Sequence, residues 1–119
     1  MVTLRDFNVK RENIKLSNGC NVTLFKRPKS PVYIIFSIIL GSRFDPVGKE
    51  GLAHFFEHML VAGTKKFPSK DLLAGYIEDL GGSVGASTGV DVLKIRLSLG
   101  DPKDIESGAY LLSEILFNS

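Results

Sequence analysis

The sequence predicts an α+β fold, a mixed, largely antiparallel sheet packed against helices. Three observations carry that prediction. Short runs rich in β-branched residues, bounded by Gly, Pro, Asn and Ser, read as strands. Three other segments place apolar residues at helical spacing. Their order, two or three strands, two helices, two strands and a helix, is not the strict strand–helix alternation of a parallel sheet.

Taken in order, "NIKL", the turn "SNG" and "CNVTLFKR" form a predicted β-hairpin, in which Asn18 and Gly19 tolerate positive φ. Cys20 reads as a small residue after that turn. "VYIIFSIIL", Val32 to Leu40, is expected as a strand covered on both faces. It is far shorter than the roughly 20 residues of a membrane helix. "GSRFDPVGKEG" is too dense in Gly and Pro for regular structure, so it reads as a loop leading into a helix within "GLAHFFEHMLVAGT". Ser69 is the predicted N-cap of a second helix, whose Leu72, Leu73, Tyr76, Ile77 and Leu80 face the core until Gly81 and Gly82 stop it. "SVGAS" and "VLKIRLSL" are two strands, the second with Leu93, Ile95, Leu97 and Leu99 on one face. "DPKD" opens the last helix, with Asp101 as cap, Pro102 at the first helical position and Ile105, Ala109, Leu112 and Leu116 as its buried stripe.

A chain of 119 residues supports one core, and nothing in it shifts in composition, repeats or falls to low complexity, so residues 1–119 are expected to form a single domain. Fifteen basic against 13 acidic residues give a net charge of +2 with no basic cluster, which argues against a nucleic-acid or membrane-surface partner. A lone cysteine forbids an intrachain disulfide. "MVTLRDFNVKRENIKL" has no apolar stretch of the kind a secretory signal needs, so the expected location is cytoplasmic.

The chemistry lies in "HFFEH". At about 100° per residue, setting His54 at zero puts His58 near +40° and Glu57 near −60°. Leu52, Phe55, Phe56, Met59 and Leu60 fall between about 100° and 240°, so they are expected to form the core stripe, opposite the His/Glu face. Two histidines at i and i+4 can converge on one zinc ion, and Glu57 stands where its carboxylate can act as general base toward a water on the metal. The plainer alternative is a surface helix with a polar outer face. A helical H-x-x-E-H is the inverted zinc motif, and here the helical pattern is independent of the motif residues.

"GSRFDPVGKEGLAHFFEHMLVAGTKKFP" resembles the signature segment of the inverzincin peptidases: pitrilysin, insulin-degrading enzyme, the mitochondrial processing peptidase and bacterial relatives. "LSNGCNVTLFKRPKSPVYIIFSIILGSR" resembles their opening strands and "YIEDLGGSVGASTGVDVLKIRLSL" the helix end and strand pair that follow, so the resemblance covers roughly residues 12–119. It implies the mitochondrial-processing-peptidase-like metallohydrolase fold, with this chain as the N-terminal portion of one incomplete domain. It also implies a zinc-dependent endopeptidase, with His54 and His58 as ligands and Glu57 as base. The third ligand is then a glutamate on a later helix, past Ser119; Glu78, Asp79, Glu106 and Glu114 do not occupy its position and read as solvated surface. By the same resemblance Gly85, Ala86, Ser87 and Thr88 form the edge that pairs with an extended peptide substrate. Many relatives have Asn-Ala where this chain has Gly85-Ala86, so it lacks that side-chain amide. The expected partners are extended peptides and a second homologous half or partner chain, with self-association through apolar surface left uncovered.

With two histidines and no third protein ligand, the chain by itself is expected to be inactive or weakly active. The alternative within the same fold is a non-catalytic structural subunit, which has no physical need to keep His54, Glu57 and His58 together. Phosphate binding by "GGSVGASTG" is disfavoured, since the segment lacks the lysine and following helix of a P-loop.

Overall fold

The computed structural model describes residues 8–119; residues 1–7, part of the segment read above as no secretory signal, lie outside the described residues. The chain divides after Ser30 into two compact units, Met1–Ser30 and Pro31–Ser119. In the first, β1 (Lys10–Lys15) pairs antiparallel with β2 (Asn21–Lys26), as the hairpin pattern predicts. Its turn closes through Gly19 N–H to Leu16 O and Leu16 N–H to Cys20 O, both 2.9 Å. Gly19 takes φ +87°, a conformation that a side chain disfavours.

The second unit is a three-stranded antiparallel sheet with three helices. Its strand order is β3 (Val32–Ile38), β5 (Leu93–Leu99), β4 (Ser83–Thr88), so β5 is central and the other two are edges. The α+β reading therefore holds, as does the strict alternation of β5: Leu93, Ile95, Leu97 and Leu99 are all buried. α1 (Leu52–Leu60) and α2 (Lys70–Asp79) approach β4, while α3 (Ile105–Phe117) lies against β5 and β3. Leu60, Leu73, Ile77, Leu111 and Ile115 complete the core over the β5 leucines. No described helix is long and apolar enough to cross a membrane.

Helix ends follow local chemistry. Ser69 Oγ accepts the Leu72 N–H at 3.2 Å, the predicted N-cap of α2. Ser69→Ala should cost about 1 kcal/mol, read as a lowered urea midpoint at unchanged slope. At the other end Gly81 N–H bonds Glu78 O and Gly82 N–H bonds Ile77 O, with Gly81 at φ +68°, so the two glycines do stop the helix. Asp101 accepts the Lys103 N–H at 2.9 Å, which holds its carboxyl below the usual range. The cap opens a 3-10 turn, Pro102–Asp104, that runs into α3.

Burial corrects the sequence reading in three places. The apolar β3 strand is covered on one face only: Val32, Ile34, Phe36 and Ile38 pack on the core, but Tyr33 is 72% exposed. The helices of this unit cover a single face of the sheet, so uniform apolarity could not reveal which side is inward. In α2, Leu72 points out while Leu73 and Ile77 are buried. In α3 the most deeply buried line is Gly108, Leu111 and Ile115; Leu112 and Leu116 of the predicted stripe are half-buried and pack against the core, but Ile105 and Ala109 are exposed, so the inward arc is shifted toward Gly108. Gly108 sets it: a Cβ there would lie 2.6 Å from Leu99 Cδ1, so the missing side chain lets α3 settle on β5.

Candidate metal and catalytic site

α1 has no capping side chain of its own at Gly51, which sits at φ +93°. The cap comes from earlier in the loop. Asp45 Oδ2 accepts the Gly51 N–H at 2.7 Å and Oδ1 accepts the Ala53 N–H at 2.9 Å. A carboxylate on the exposed amides of a helix N-terminus is also favoured by the helix dipole. The sequence reading missed Asp45. Its signal was an acidic residue a few positions before a helix that lacks a polar N-cap. The same loop is held to the β4–β5 turn by Ser42 N–H to Gly89 O and Arg43 N–H to Val90 O, both 3.0 Å. Arg43 Nε also meets Asp91 Oδ1 at 2.7 Å, an exposed pair that contributes little by itself.

On α1, His54 and His58 lie one turn apart and their Nε2 atoms face each other at 3.1 Å. The ring centroids are 4.7 Å apart. Nitrogen ligands at about 2.0–2.1 Å from a tetrahedral zinc ion stand about 3.3 Å from each other, so the pair fits one ion within a few tenths of an ångström. With the Glu57 carboxylate they form a group whose ligand atoms all lie within 4.8 Å of one another. Nitrogen donors with a nearby carboxylate are a donor set suited to zinc.

The predicted orientation of α1 needs correction. Glu57 is only 8% exposed, whereas the supposed core stripe looks outward: Phe55 is 63% exposed, and Leu52, Phe56 and Met59 are exposed too. The buried side carries Ala53, Glu57 and Leu60 and is turned by roughly 100° from the expected one. Of the polar face only Glu57 is turned inward, while His54 and His58 stay exposed. Glu57 points at the sheet, where Thr88 Oγ1 donates to Glu57 Oε2 at 2.5 Å.

The other sequence-predicted residues lie on β4, the edge strand nearest α1. Thr88 is brought to Glu57, while Gly85, Ala86 and Ser87 line the strand before it. A Cβ at Gly85 would meet nothing within 4 Å, so the missing side chain leaves open space. Glu78, Asp79 and Glu106 are exposed, as expected for solvated groups. Glu114 is not: it is 8% exposed, Oε1 accepts from Asn118 Nδ2 at 2.8 Å and Oε2 has no partner among the described residues. It lies on the inward arc of α3 beside Ile115, which the rotated stripe explains.

Comparison with known proteins agrees with this geometry. The family model described as Insulinase (Peptidase family M16) matches residues 22–119. Protease 3 of Escherichia coli (strain K12) is 40% identical over 82 residues, covering 68% of this chain and 8% of its own length. Insulin-degrading enzyme of Drosophila melanogaster is 40% identical over 76 residues, 63% of this chain and 8% of that protein. The chain thus spans less than a tenth of the length of these curated relatives. The crystal structure of pitrilysin superposes with a TM-score of 0.82 at 31% identity, over 93% of this chain and 12% of that one. From its strand order through its helical H-x-x-E-H to these matches, the chain belongs to the insulinase family of peptidases, family M16.

Proposed function

We propose that the chain is the metal-bearing part of a zinc-dependent metalloendopeptidase that hydrolyses extended peptides. The observation that carries the reading is the convergence of His54 Nε2 and His58 Nε2, 3.1 Å apart, beside a buried Glu57. His54 and His58 would hold the ion, with a glutamate from outside these 119 residues as the third protein ligand. When bound, zinc supplies a Lewis acid that polarises the peptide carbonyl and acidifies water.

The remaining work falls to the chain's own groups. Glu57 takes a proton from the attacking water and returns it to the departing amine. β4 is an edge strand, so the backbone of Gly85 to Thr88 can pair with a peptide lying alongside α1. Such pairing is indifferent to most side chains, and the bare Gly85 adds no side-chain contact of its own. The outward Leu52, Phe55, Phe56 and Met59 favour a partner, either a second homologous half or another copy.

Metal removal tests this. After dialysis the 119-residue chain should retain well under one zinc per molecule, because two histidines bind weakly. The full-length protein should keep about one per site and lose cleavage of an unstructured peptide when chelated, recovering it on adding zinc. Undiminished cleavage by metal-free protein would sink the reading. Tight one-to-one retention by the short chain would remove the need for an outside ligand.

A further inference from the structure

We propose that Thr88 is the positioning residue of Glu57: its hydroxyl fixes one carboxylate oxygen so that the other is presented to water. The proposal rests on the zinc-peptidase reading above. Thr88 Oγ1 reaches Glu57 Oε2 across 31 residues of sequence. Among the described residues Glu57 Oε1 has no hydrogen-bond partner in the protein. A carboxylate held through one oxygen keeps a single orientation, and its second oxygen is the one left for proton transfer.

The placement of the hydroxyl is not what strand packing alone would select. Thr88 shares a face of β4 with Val84 and Ala86, which pack on the core, and its β5 partner Leu93 is fully buried. Valine has the same shape and an equal preference for strands. What threonine adds there is the donor that a buried carboxylate needs.

Both ends of the contact are registered to one frame. Directly after Thr88, the carbonyls of Gly89 and Val90 accept from Ser42 and Arg43. Three residues past Ser42, Asp45 holds the first amides of α1. The segment from Gly41 to Asp45 therefore ties the N-terminus of α1 to the end of β4. Gly41 makes that close approach possible, since a Cβ there would lie 2.2 Å from Val90 O. Because β4 is also the proposed peptide-pairing edge, Thr88 sets the distance between the base and the paired peptide bond.

The test compares Thr88→Val and Thr88→Ser in the full-length protein, with Glu57→Gln alongside. Thr88→Val should lower kcat about 10- to 100-fold with KM and zinc content nearly unchanged, the size expected when a general base is misplaced. Thr88→Ser, which restores the donor, should recover most of that loss. In metal-free wild-type protein the Thr88 hydroxyl proton should exchange slowly and show a nuclear Overhauser contact to the Glu57 side chain. A wild-type kcat for Thr88→Val beside an inactive Glu57→Gln would overturn the positioning role and leave the peptidase reading intact. Zinc loss in parallel with kcat would overturn it too, by placing the effect in the metal site. If Glu57→Gln cleaves normally, the peptidase reading itself falls, and the hydroxyl resonance alone decides whether Thr88 holds Glu57.

Discussion

Glu57→Gln should reduce peptide cleavage by the full-length protein roughly 10²- to 10⁴-fold, the usual contribution of a positioned general base. The substitution keeps the shape of the side chain and leaves an amide oxygen that can still accept from Thr88 Oγ1, so the buried contact survives. What disappears is the ability to take a proton. His54 and His58 are untouched, so zinc content should stay at the wild-type level. The two measurements together are the check, kcat against an unstructured peptide and metal per molecule. Cleavage within a few-fold of wild type would remove Glu57 from the chemistry. Loss of zinc together with activity would make Glu57 a ligand rather than a base.

The second large effect is on stability. Gly82→Ala should destabilise the fold by about 3 kcal/mol or more, a large share of the roughly 5–15 kcal/mol that typically separates folded from unfolded chains. A Cβ on Gly82 would lie 1.8 Å from Ser98 O, 2.8 Å from Ser98 C and 3.1 Å from Leu99 Cα. All three are backbone atoms of the central strand, which cannot swing aside as a side chain can. Either β4 must part from β5 or the end of α2 must lift from the core that Leu73 and Ile77 fill. Gly85→Ala is the matched control, because a Cβ there meets nothing within 4 Å. Urea unfolding of the two variants separates them, and a Gly82→Ala midpoint equal to that of Gly85→Ala would show that the sheet relaxes more easily than its backbone contacts indicate.

Gly82 also marks how far the sequence could be read. That Gly81 and Gly82 end a helix was legible, because glycine at a helix end is a local matter of φ and of unpaired carbonyls. That Gly82 also lies against Ser98 was not, since the contact joins segments brought together only by the pairing of β4 with β5. Ser69 and Asp101 divide in the same way from Asp45. The first two cap the turn that directly follows them, while Asp45 reaches forward over a loop whose path no spacing rule gives.

Periodicity had a similar limit. In β5 a strict polar–apolar alternation named the inward face correctly. In α3 the doublets Leu111-Leu112 and Ile115-Leu116 allowed two stripes one residue apart, and the close approach at Gly108 put the first member of each doublet deepest, with the second packed beside it. In α1 the aromatic side was the larger apolar surface, and the structure nonetheless turns Glu57 inward.

The sequence by itself determined the element order, both ends of α2 and the one-turn spacing that brings His54 and His58 together, because these follow from backbone geometry within a few residues. Only the tertiary structure decided which side of α1 faces the sheet, and that Thr88 meets Glu57. Those depend on which distant surfaces come into contact, and a buried carboxylate goes where a donor from another strand can satisfy it.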